Sequence, residues 1–189
     1  GFIERDQQGT GVTYDYNYWS SPVSITNNNT ANNGYTLAES LKDGTLVDNP
    51  RDLNWTTTSV TNGTAGDATT AATLSGRWLY KYGNLPSGVY ANWQYVGPNG
   101  AMTAGEGFTM KGTGATGEQN YAFVGKPNNG DIDLPINSGN DYLIGNPYPS
   151  ALDAHEFITD NPNLDGTLYF WEHWGGGTHI LASYQGGYA

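Results

Sequence analysis

Tyr14-Asp15-Tyr16-Asn17-Tyr18-Trp19 is the stretch whose reading decides the fold. Side chains alternate across a β-strand, so Tyr14, Tyr16 and Tyr18 share one face while Asp15, Asn17 and Trp19 share the other. One side is expected to pack and the other to face water. Working outward, short alternating or apolar-aromatic runs bounded by Gly, Asn or Pro recur at 2–5, 77–82, 92–96, 106–111, 120–125, 141–145 and 167–172. That is the pattern of antiparallel sheets. The expected fold is all-β, an antiparallel, jelly-roll-like β-sandwich with two short helices in its connections. Thr36-Leu37-Ala38-Glu39 has the spacing of a capping box, with Leu37 and Leu41 as a small apolar face and Gly44 as a stop. Ser150-Ala151-Leu152-Asp153 opens a second helix that Asn161-Pro162 ends. The stretches 27–33 and 56–73 hold few large apolar residues and read as exposed loops.

Composition points the same way. The 189 residues carry 7 Lys+Arg against 18 Asp+Glu, a net charge of −11, and only 13% are charged. Such a chain repels phosphate backbones and anionic membranes, so nucleic acid is an unfavourable partner. After Lys126 no further Lys or Arg occurs. The surface is instead rich in Asn, Thr, Ser and Gly, a composition common in extracellular β-proteins. A 13% aromatic content supplies core material that a disordered chain lacks. With no cysteine, disulfides and Cys-ligated metals are excluded. No run approaches the ~18 apolar residues of a membrane span, and membrane insertion is not expected. Residues 1–189 read as one domain, expected to be part of a longer secreted protein.

The chemistry-bearing candidates are few. Exposed Trp and Tyr can stack on sugar rings while amides and carboxylates bond the hydroxyls. On that ground Trp55, Trp171, Trp174 and Tyr148 are candidate ligand-binding residues, Trp55 and Trp174 because they adjoin loop-like sequence. The bland alternative places Trp19, Trp78, Trp93 and Trp171 in the core between facing sheets. Asn128, Asp131 and Asp133 put oxygen donors on one turn, as a calcium site requires, although the plainer reading is an Asn-Gly turn joining two strands, with solvated carboxylates. Calcium is the one candidate cofactor, and none is required. Glu172, His173 and His179 are metal-type donors, but their spacing matches no zinc motif, and strand alternation points Glu172 away from His173. Nucleophile elbow, phosphate loop and dinucleotide motif are all absent from the sequence, so no catalytic residue is assigned and an enzyme is not expected.

Several segments resemble a domain of very large secreted surface proteins of Flavobacteria and other Bacteroidetes, a group associated with type IX secretion, adhesion and gliding. They are Tyr16–Val23, Gly105–Gly112, Asn120–Asp131, Leu143–Leu152 and Leu168–Gly175. The resemblance implies an extracellular structural or adhesive module, up to a subunit of a surface assembly or filament. Its partners would be copies of itself, neighbouring surface domains or a polysaccharide. A carbohydrate-binding module is the alternative, and a polysaccharide-active enzyme the weaker one.

Overall fold

Strands with one aromatic face must bury it against another layer, and here two sheets do so. The computed structural model of the chain describes residues 1–25, 32–57, 63–175 and 185–188. Its strands are β1 (Ile3–Thr10), β2 (Tyr16–Ser20), β3 (Val23–Ser24), β4 (Leu41–Asp43), β5 (Arg51–Asp52), β6 (Asn54–Thr56), β7 (Gly63–Thr64) and β8 (Thr73–Ser75). They continue with β9 (Tyr80–Lys81), β10 (Leu85–Pro86), β11 (Gln94–Tyr95), β12 (Gly107–Lys111), β13 (Glu118–Pro127), β14 (Asn140–Asp141), β15 (Trp171–Gly175) and β16 (Gln185–Tyr188). The helices are α1 (Leu37–Ser40) and α2 (Ala154–Asp160).

One sheet has the order β1-β13-β4-β5, with β3 also pairing with β13, and the other the order β11-β9-β12-β2. Both are antiparallel, whereas β6 and β8, in a small separate sheet, pair in parallel. Tyr121 and Phe123 of β13 and Leu41 of β4 meet Phe108 and Met110 of β12, all of them essentially inaccessible to water. Trp19, opposite Phe108 in the β2–β12 register, reaches across to the other sheet with its ring edge-on to Tyr121 at 5.4 Å and Phe123 at 6.2 Å. The architecture is therefore the all-β sandwich expected.

Four strand expectations change on contact with packing. Residues 76–78 form a 3-10 turn, leaving only Tyr80–Lys81 as strand, because Leu79 must enter the core while its carbonyl accepts the Val96 and Gly97 N–H groups. Residues 90–92 form a second such turn before β11. The run 141–145 is extended but bonds to two neighbours in turn, with Leu143 N–H reaching Tyr82 and Gly107 N–H reaching Leu143, so only Asn140–Asp141 forms a ladder. The last run starts as strand at Trp171 and not at 167. The expectation of a wet face on 14–19 is also corrected. Tyr18 lies flat on Trp171 (centroids 5.0 Å apart, planes 9° apart) and edge-on to Trp93, so the face opposite Trp19 is roofed as well.

The helices form as their caps dictate. Thr36 Oγ1 accepts the Glu39 N–H at 3.3 Å and donates to the Glu39 carboxylate at 2.8 Å. The chain then turns straight into β4 at Leu41, without waiting for Gly44. Asp153 caps α2 by accepting from the His155 and Glu156 N–H groups, which hold its carboxyl below the usual carboxylate range. Of the two expected loops, residues 26–31 and 58–62 lie outside the described residues, and β7 and β8 occupy part of the second.

Two buried carboxylates tie the connections to the sheets. Asp43 is fully buried; it accepts from Arg51 at 2.8 Å, from the Thr45 N–H and hydroxyl, and from the Ala72 N–H. Glu106 accepts from Lys81 Nζ on both oxygens at 2.9 Å, from the Tyr142 hydroxyl at 2.8 Å and from the Thr103 N–H at 2.8 Å. Burial alone would raise both carboxyls, but these donors outweigh it and hold both below their ordinary values.

Candidate functional site

The two sheets end side by side at β1 and β2, and the space between those edges is open. In the β1–β13 register Arg5 lies opposite Phe123, Gln7 opposite Tyr121 and Gly9 opposite Gln119. Directly opposed residues share a face, so Arg5 and Gln7 sit on the core-facing side of an edge strand, where they rim the opening instead of filling the core. Trp19 stands over Gly9: a Cβ there would lie 2.5 Å from indole Cζ2, so only glycine admits the ring. A groove of about 320 Å³ results, lined by Arg5 and Gln7, by Trp19 and Phe123, and by the loop from Gly145 to Ala151. That volume is at the small end of the roughly 300–1,000 Å³ of small-molecule sites.

The loop is held rigidly. Asn146 Oδ1 accepts the Tyr148 N–H at 2.9 Å, while its amide donates to the Ser150 carbonyl at 2.6 Å. The Pro147 carbonyl accepts from Asn128 Nδ2 at 2.8 Å, and Asn128 Oδ1 in turn accepts from Ser24. The Tyr148 hydroxyl donates to the Gly130 carbonyl at 2.7 Å, and burial together with the nearby Asp131 charge raises its pKa. Its two prolines further restrict the backbone. Arg5 is the one charged side chain among the described lining residues.

Of the sequence candidates, Tyr148 alone lines this groove. Trp55 is half-buried against the core cluster, which corrects its expected exposure: its pairing with Leu74 across β6 and β8 carries it inward. Trp171 is covered, stacked on Tyr18 and edge-on to Tyr188, but on the outer face of the second sheet and not in the core between the sheets. Trp174 is exposed at 64% but stands on the β15–β16 hairpin, apart from the groove. Arg5 and Gln7 carry no sequence signal of a site, and Trp19 packs against the core cluster as the core alternative has it while also lining the groove.

Asn128 is buried with its amide engaged by Ser24 and Pro147, whereas Asp131 and Asp133 are exposed. Among the described residues no three His, Cys, Asp or Glu side chains converge as a metal site would need. Glu172 is exposed, His173 Nε2 instead pairs with Asp15 at 2.7 Å, and His179 lies outside the described residues. On the same outer face Lys111 Nζ sits 4.5 Å from the Tyr16 ring centre and 4.3 Å from that of Trp78, and burial pushes its pKa down to about 8 against the pull of Asp15. This cluster docks the C-terminal hairpin on the second sheet.

The family described as a domain of unknown function, DUF8693, matches residues 25–186. The chain belongs to this family. No curated protein and no solved structure matches it. The DUF8693 match takes in β12, β13, β4, β5 and the Gly145–Ala151 loop, while β1, β2 and β3, with Arg5, Gln7 and Trp19, precede it. No helix among the described residues is long and apolar enough to cross a membrane.

Proposed function

We propose that this chain is an extracellular, non-enzymatic adhesive module that holds a carbohydrate in the groove between the edges of its sandwich. The observation that carries the reading is the groove itself: the half-buried Trp19 on one side, a Tyr148 loop tied down by hydrogen bonds on the other, and hydrogen-bonding groups at the rim. Apolar ring faces beside a few placed polar groups are what a sugar requires, since its C–H faces and its hydroxyls lie on different sides. The sparsely charged, amide-rich composition and the resemblance to secreted Bacteroidetes surface domains support the location.

Screening the protein on an array of bacterial and plant polysaccharide fragments is expected to give selective binding. Tyr148→Ala, which removes one wall at a half-buried site, should weaken the best hit about tenfold, near 1.4 kcal/mol. An array without hits, or a Tyr148→Ala protein that binds like the parent, would reject the reading. A second reading, self-assembly, is favoured by β1: over Ile3–Thr10 it pairs with β13 alone among the described residues, leaving an edge open to another strand.

A further inference from the structure

Arg5 is the one charged side chain among the described residues that line the groove. The chain has 7 basic residues against 18 acidic ones. Lys42, Arg51 and Lys81 each pair with a carboxylate. The Arg5 side chain, like those of Arg77 and Lys126, is in no ion pair among the described residues, although acidic neighbours flank it in the chain. Strand alternation explains why: Glu4 and Asp6 project from the opposite face of β1, and Asp6 is engaged there by Asn120 Nδ2 at 2.9 Å. The guanidinium is thus carried on the groove side, next to the Trp19 wall and facing the Tyr148 loop, while the nearest acids of its own strand are turned away.

We propose that the groove recognises an acidic sugar, a hexuronic acid residue whose carboxylate meets Arg5 while its ring lies against the aromatic wall. This deepens the carbohydrate-binding reading and rests on it. A guanidinium presents two parallel N–H donors that match the two oxygens of a carboxylate, and the planar pair fixes the sugar's orientation as well as its charge. Gln7, two residues along the same face, sits beside it to bond a neighbouring hydroxyl. The net charge of −11 opposes a long polyanion, so the contact is with one carboxylate at a time, at a chain end or in a sparsely charged polysaccharide.

The test is calorimetric titration of the protein with three probes of equal length: an oligouronate, the same oligosaccharide with its carboxylates reduced to alcohols, and a sulfated neutral oligosaccharide. The oligouronate is expected to bind about tenfold more tightly than either of the others. Arg5→Gln should abolish that preference, whereas Glu4→Gln, on the opposite face, should keep it. Circular dichroism of Arg5→Gln checks the fold, which an exposed side chain should not disturb. Equal binding of the oligouronate and its reduced form overturns the inference but leaves carbohydrate binding standing, as does a preference for the sulfated probe. Failure of all three probes to bind, together with an empty glycan array, removes the underlying reading too.

Discussion

Phe108→Ala is expected to lower the unfolding free energy by about 3–5 kcal/mol, the usual result of deleting a fully buried aromatic ring. Phe108 has no accessible surface, lies opposite Trp19 in the β12–β2 ladder and sits edge-on to Tyr35 at 6.4 Å. It therefore supports both the second sheet and the Trp19 ring that walls the groove. Domains of this kind are stable by roughly 5–15 kcal/mol, so the loss is a large fraction of the total. Urea unfolding monitored by tryptophan fluorescence would measure the loss. Phe170→Ala, at a position 64% exposed, should fall within about 0.5 kcal/mol of the parent. Comparable losses at both positions would contradict the described core.

Glu106→Ala is expected to cost about 3 kcal/mol, because it strands several donors at once. Lys81 Nζ, the Tyr142 hydroxyl and the Thr103 N–H all end on this carboxylate, which is itself only 4% exposed. Lys81 keeps some access to water, which limits the loss on its side of the pair. The same network predicts a pH dependence. The folded carboxyl titrates below its ordinary 4.5, so the unfolded chain takes up the proton first as pH falls. The stability it contributes is complete above 4.5 and is lost as pH drops towards the folded value. Asp43 adds the same trend from its ordinary 3.8 downwards. Glu106→Gln should flatten the upper part of this acid limb in a urea titration repeated from neutral pH to pH 3, while Asp43 keeps the lower part. An unaltered limb would show that Glu106 is not held as described.

Much of the fold was readable from local signals. Alternation found the two long strands around Trp19 and Tyr121, and the Thr36–Glu39 spacing found a cap whose hydrogen bonds are present. Where the reading failed, tertiary demands outweighed local pattern: Leu79 had to be buried, so its flanks coiled into a turn, and Trp55 followed Leu74 inward despite loop-like neighbours. The groove was harder to foresee. It joins Arg5 and Gln7 to Trp19 and to a loop more than a hundred residues away, and no spacing rule links them. One trace was available, since Gly9 continues the Ile3, Arg5, Gln7 face with a missing side chain, the vacancy that the Trp19 ring occupies. In the aromatic-rich C-terminal segment Trp171 is covered, between Tyr18 and Tyr188, whereas Tyr169, Phe170, Trp174 and Tyr188 stay exposed.

The most direct measurement of the central claim is residue-resolved NMR during titration with the best-binding oligosaccharide. The account predicts that the largest amide and indole shifts fall on Arg5, Gln7, Trp19 and the Asn146–Ser150 loop, with the β15–β16 hairpin unmoved. Shifts concentrated on Trp174 and Tyr188 instead, with the edge groove silent, would contradict it.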